Sequence, residues 1–113
     1  MAGTLKRLAG PVALTTTYGT NIYNPASGII GAIRQIHIAN KGAANDTFRL
    51  FIGLTGGSAA GTEIAYNYPI EVGAVVDLYW PAGLKLTSSD FLTGGAGLAT
   101  SLTITVTGDE QAA

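Results

Sequence analysis

Leu98-Ala99-Thr100-Ser101-Leu102-Thr103-Ile104-Thr105-Val106-Thr107 alternates with period two. Leu98, Thr100, Leu102, Ile104 and Val106 fall on one face and Ala99, Ser101, Thr103, Thr105 and Thr107 on the other. Successive side chains of an extended chain point to opposite sides, so this pattern predicts a strand with one face in a core and one in water. Threonine suits the wet face, because its β-branch favours extended backbone and its hydroxyl tolerates solvent.

The same period recurs upstream. In residues 32–40, Ile36 and Ile38 oppose Gln35 and His37, and in residues 47–52, Phe48, Leu50 and Ile52 oppose Arg49. Lys41-Gly42-Ala43-Ala44-Asn45-Asp46 lies between these two runs and is rich in turn formers, so they read as a hairpin with a long loop. Residues 62–70 place Ile64, Tyr66, Tyr68 and Ile70 on one face. Pro69, which cannot donate to a ladder, puts this strand at a sheet edge or ends it there. Residues 75–80 align Val76, Leu78 and Trp80 against Val75, Asp77 and Tyr79. Pro81-Ala82-Gly83 stops that strand, and Leu84-Lys85-Leu86 is a short further piece. Val12-Ala13-Leu14-Thr15 and Thr20-Asn21-Ile22-Tyr23 suggest a weaker first pair. The glycine-rich segments 53–61 and 94–97 read as turns. Helical spacing never persists. Seven to eight short strands at this spacing predict an all-β protein, an antiparallel β-sandwich or jelly roll.

The chain has 113 residues, the size of one domain, and 47% of them are hydrophobic, enough for a real core. We read residues 1–10 as an N-terminal arm and residues 11–113 as a single β-sandwich domain. Charged residues are only 12%, about half the usual share of about 25%. A surface so poor in charge is expected to be covered by other protein copies. The net charge of −1 gives no field to attract nucleic acid or anionic lipid, so neither nucleic acid nor membrane is an expected partner. No apolar stretch reaches the length of a membrane span, and no signal peptide is recognised, so synthesis in the cytoplasm is expected. Cysteine is absent, which removes disulfides and thiolate metal sites.

The residues offer little catalytic chemistry. The single histidine, His37, cannot build a ligand cluster, and its phase opposite Ile36 and Ile38 predicts a surface position. Carboxylates such as Glu63 and Asp77 are scattered singly, and a hydrolytic pair would need two of them in one cleft. No nucleophile elbow or phosphate loop is present. The expectation is a non-enzymatic chain with no cofactor and no metal. Tyr66, Tyr68, Tyr79, Trp80 and Phe51 could form an aromatic platform. Phe51 and Tyr79 alternate with core-phase neighbours, so these two are the expected exposed anchors.

Several stretches carry a resemblance. Thr4-Leu5-Lys6-Arg7-Leu8 forms a basic-tipped arm. It is followed by Ile33-Arg34-Gln35-Ile36-His37-Ile38-Ala39-Asn40 and by Phe48-Arg49-Leu50-Phe51-Ile52-Gly53. Asp77-Leu78-Tyr79-Trp80, Leu84-Lys85-Leu86 and Leu102-Thr103-Ile104-Thr105-Val106-Thr107-Gly108 complete the layout. Over nearly the whole chain this resembles the small structural proteins of tailed bacteriophage virions, particularly head decoration (cement) proteins. The pattern is also similar to tail, neck and fibre modules of the same viruses. The resemblance implies a place on the capsid surface, the major capsid protein as partner, and self-association as a homotrimer or other homo-oligomer. The alternative it leaves is a tail, neck or head-fibre module that binds a partner protein or a host glycan. On either reading the candidate interface residues are Leu5, Lys6, Arg7, Leu8, Phe51 and Tyr79.

Overall fold

A computed structural model describes residues 4–113. It contains eight strands: β1 (Thr4–Ala13), β2 (Asn21–Tyr23), β3 (Ile29–Asn40), β4 (Asp46–Gly53), β5 (Glu63–Ile70), β6 (Val75–Leu86), β7 (Phe91–Ala96) and β8 (Leu102–Ala112). They form two four-stranded antiparallel sheets, ordered β1-β8-β3-β6 and β2-β7-β4-β5. β1 pairs with β8, β2 with β7, β3 with β6 and β4 with β5. The chain is thus a long ribbon folded back on itself and then rolled, and β3·β8 and β4·β7 close the two sheets. This is the strand order of a jelly roll.

The core lies between the sheets. Ile33, Ile36 and Ile38 of β3 and Leu102, Ile104 and Val106 of β8 face Phe48 and Leu50 of β4 and Leu92 and Ala96 of β7. Each fully buried Ile or Leu contributes roughly 1.5–3 kcal/mol of transfer free energy. The alternation expected for β3, β4 and β8 is the one observed.

Five local expectations are corrected. The runs at 32–40 and 47–52 do not form a hairpin, because β3 and β4 lie in different sheets and the intervening turn carries the chain across the core. β1 and β2 are likewise unpaired with each other. The C-terminal strand begins at Leu102, since Thr100 takes left-handed backbone (φ 57°) and Leu98 sits in the preceding turn, 43% exposed. Pro81-Ala82-Gly83 does not end β6. The strand bulges there, with Gln35 opposite Tyr79 and Ile33 opposite Leu84. Gly94 and Gly95 are not a turn but the middle of β7, between β2 and β4. A side chain on Gly94 would strike the Leu50 side chain and the Arg49 carbonyl. One on Gly95 would strike the Thr15 and Thr17 carbonyls.

Residues 4–10 are not a detached arm. They run along β8 from Thr4 opposite Glu110 to Arg7 opposite Thr107, and the strand continues to Ala13 opposite Thr103. Residues 1–3 of the expected arm lie outside the described residues.

Candidate interface on the outer face of the first sheet

The outer face of the β1-β8-β3-β6 sheet is built by cross-strand register. One row runs over all four strands as Arg7, Thr107, Gln35 and Tyr79. The next row toward the ends of β1 and β8 is Leu5, Asp109, Ala32 and Lys85. On the other side come Thr105, His37 and Asp77, and then Ala13, Thr103, Ala39 and Val75. Directly opposed residues of an antiparallel pair share a face, so these rows make one surface. Its large apolar members stand in solvent: Leu5 is 68% exposed, Tyr79 64% and Val75 57%.

Both carboxylates on this face are paired within it, Asp77 with His37 and Asp109 with Arg34. His37 Nδ1 lies 2.6 Å from Asp77 Oδ1, and Gln35 Nε2 donates to the same oxygen at 2.9 Å. The hydrogen bond from His37 holds the Asp77 carboxyl below the usual carboxylate range; burial opposes it, and the hydrogen bond from Gln35 adds to the lowering. Arg34 is the extra residue of a β-bulge, between Ile33 and Gln35. Its Nε and Nη2 reach Asp109 Oδ2 at 2.9 and 2.8 Å, and its Nη1 donates to the Pro81 carbonyl, which ties β8 to the bulge of β6. Beside this pair is a shallow groove of about 210 Å³, lined by Ile30, Ala32, Arg34, Asp109 and Gln111.

The six sequence-predicted interface residues divide. Leu5, Arg7 and Tyr79 share the outer face, with Arg7 and Tyr79 in one row. Lys6 points to the other side, where Nζ lies 3.0 Å from Glu110 Oε1. The second oxygen of Glu110 accepts from the buried Tyr23 hydroxyl at 2.6 Å. The Tyr23 hydrogen bond and then that of Lys6 pull the Glu110 carboxyl down. Burial, together with the carboxylate, pushes the Tyr23 phenol well up. Leu8 is a correction: it packs against the core, its Cδ1 lying over Gly108. Phe51 is the other, at 3% exposure. It does face away from the core, but Thr93, its partner on β7, donates to the Gly57 carbonyl, so the loop at 54–62 folds over this side of the sheet. Asn21 fastens that loop by donating to Thr55 Oγ1 and accepting from Gly56 N–H.

The structure also shows an aromatic cluster that sequence phase misassigned. Asn67 has left-handed backbone (φ 48°) at an irregularity where Phe48 opposes Tyr68 but Leu50 opposes Ala65. The bulge leaves Tyr68 stacked on core Phe48, with ring centroids 5.3 Å apart, and turns Tyr66 to the outer face of the second sheet. There the Arg49 guanidinium lies 4.3 Å from the Tyr66 ring centroid and 4.4 Å from that of Tyr18. Each such contact contributes about 0.5–1 kcal/mol at an exposed site. A signal was present in the Tyr-Asn-Tyr triplet, since asparagine tolerates left-handed backbone better than most residues.

Glu63 and Asp77, the carboxylates weighed as a hydrolytic pair, lie on different sheets, Glu63 on β5 of the second and Asp77 on β6 of the first. Among the described residues no group of three or more His, Cys, Asp or Glu stands close enough to hold a metal ion. Compared with known protein families and with curated protein sequences, the chain matches none.

Proposed function

We propose that this chain is a non-enzymatic virion structural protein that decorates and stabilises the head shell of a tailed bacteriophage, with the outer face of the β1-β8-β3-β6 sheet as its contact with the major capsid protein. The observation that carries this reading is the exposure of Leu5, Tyr79 and Val75 on one threonine-rich face whose two carboxylates, Asp77 and Asp109, are both paired. Leu5 stands on one edge strand of this face and Tyr79 and Val75 on the other, so a partner seated across the whole sheet would cover all three. The jelly-roll order is compatible with this role, but folds of this kind host several functions, so the argument rests on the face.

Four strands about 4.8 Å apart and rows about 7 Å apart give the face roughly 400–500 Å². A stable pairwise interface takes about 800 Å² from each partner. One copy on one shell subunit is therefore weakly held. The reading accordingly includes contact with neighbouring shell subunits or self-association as a trimer, so that repeated modest contacts add. Binding only the assembled shell raises the free energy needed to take it apart.

The test is add-back to purified head shells stripped of this protein. Stripped shells should lose resistance to heat, wild-type protein should restore it, and Tyr79→Ala should not. Equal resistance of stripped and restored shells would overturn the reading. A tail, neck or fibre position predicts no binding to the shell at all.

A further inference from the structure

We infer that the Tyr18-Arg49-Tyr66 cluster on the outer face of the second sheet is a binding site for the carboxylate of an acidic saccharide, held by the outer edge of the Arg49 guanidinium. The inference is independent of the shell contact, which uses the opposite sheet.

Three segments converge to fix this one side chain. The loop at 14–20 lies over Gly95, the β7 partner of Arg49, because Gly95 has no side chain to hold it off, and this brings Tyr18 onto one face of the guanidinium. From β5, on the other side of β4, Tyr66 packs against the same guanidinium beside the left-handed backbone at Asn67. Asn67 Oδ1 then accepts from Arg49 Nε at 2.7 Å. A left-handed non-glycine residue is unfavourable by itself, and such deviations persist where the surroundings demand them.

The fixed cation has no acid of its own. Among the described residues the ion pairs are Lys6–Glu110, Arg34–Asp109 and His37–Asp77. Glu63, the acidic residue nearest in register, turns back to accept from Gly61 N–H. The two Nη groups of Arg49 make no hydrogen bond to described residues, whereas no buried side-chain nitrogen or oxygen lacks a partner. The Nη groups therefore reach solvent. The result is a two-nitrogen fork flanked by two rings, with Nη groups that reach solvent, and a planar fork of this kind pairs bidentately with a carboxylate.

Charge and shape narrow the ligand. Arg49 is the only Lys or Arg in the four strands of this sheet, and the loop at 14–20 contributes none, so the site suits a single negative charge. Phosphomonoesters, with about two charges, and nucleic acids, with one on every phosphate, call for several cations. Tyr66 is 58% exposed, so the ring face turned away from Arg49 is free to stack on the C–H face of a sugar next to the carboxylate. That combination favours a uronic-acid saccharide over an acidic peptide.

The experiment is an NMR titration of the full chain, following the Arg49 Nε–H and the Tyr18 and Tyr66 ring signals. The probes are a glucuronate-containing tetrasaccharide, a neutral glucose tetrasaccharide, inorganic phosphate and a glutamate-rich peptide. The acidic tetrasaccharide should give saturable shifts at these signals, and the neutral one should bind about tenfold or more weaker. Arg49→Lys keeps the charge and loses the fork, so it too should weaken binding about tenfold. Tyr79→Ala, on the far sheet, should leave binding unchanged. Equal binding of the two tetrasaccharides, no saturable shift in the wild-type protein, or tighter binding of phosphate or peptide than of the acidic sugar would each overturn the inference. The wild-type comparison decides the matter even if Arg49→Lys fails to fold.

Discussion

His37 Nδ1 and Asp77 Oδ1 meet at 2.6 Å across the β3–β6 pairing, in the middle of the exposed face of the first sheet. A carboxylate in mid-strand protects against wrong edge pairing. Here the imidazole opposite also hydrogen-bonds that carboxylate, so it does not stand alone on the exposed face.

The pair has a pH signature. The Asp77 carboxyl is lowered in the folded protein, so the folded state binds that proton less tightly than the unfolded one. Its stabilising contribution is present above the ordinary carboxylate pKa and is lost as pH falls through the lowered folded value. Glu110 acts in the same direction. Urea denaturation across the acid range should show stability falling with pH, and Asp77→Asn should flatten part of that fall, with the Glu110 share remaining.

Tyr23 gives the opposite limb. Its phenol is raised by burial and by Glu110, so its contribution is present below the ordinary phenol pKa of about 10 and declines as pH rises beyond it. Tyr23→Phe keeps the ring and removes the donor to a charged acceptor. It should cost about 1–2 kcal/mol at neutral pH and reduce the alkaline loss, both read from denaturation curves.

Gly108 faces the core side of β8 opposite Ile33, and a methyl there would run into the Ala32 carbonyl. Because the obstacle is backbone of the neighbouring central strand, relief requires the β3–β8 register to shift. Gly108→Ala should destabilise by about 2–3 kcal/mol, visible as a lower Tm.

Phe51 and the loop at 54–62 should depend on each other. Phe51→Ala should cost about 3 kcal/mol and open residues 54–62 to limited proteolysis before the sandwich itself unfolds. Tyr79→Ala, on an exposed ring, should change stability by no more than about 0.5 kcal/mol, which makes it the clean probe of the outer face.

The parts of the fold that were legible are those in which local pattern and burial agree. Ile36 and Ile38 against Gln35 and His37, and Leu102, Ile104 and Val106 against their threonines, keep the same phase in the structure because β3 and β8 are the two central strands of a sheet with one core face. Pro69 marked an edge strand for the same local reason. The misreadings came from distant parts of the chain. Gly94 and Gly95 read as turn residues because only Leu50 and the loop at 14–20, far away in sequence, explain why a strand should lack side chains there. Phe51 read as exposed because its cover comes from a segment with no regular structure of its own. Tyr66 changed faces because one residue, Asn67, broke the period. Of the candidate site, the exposure of Leu5, Arg7 and Tyr79 was legible. Their shared surface was not, since it depends on strand order, which alternation does not encode.

Because β8 sits between β1 and β3, the first sheet has no middle until the last of the eight strands has been synthesised. A nascent chain that has made β1 to β7 holds the second sheet's four members, but it must keep β1 and one side of β3 unsatisfied while the ribosome finishes residues 102–112. Completion of this sandwich therefore waits for β8. Ribosome stalling or truncation before residue 102 should yield a sticky, protease-sensitive product and not a smaller stable domain.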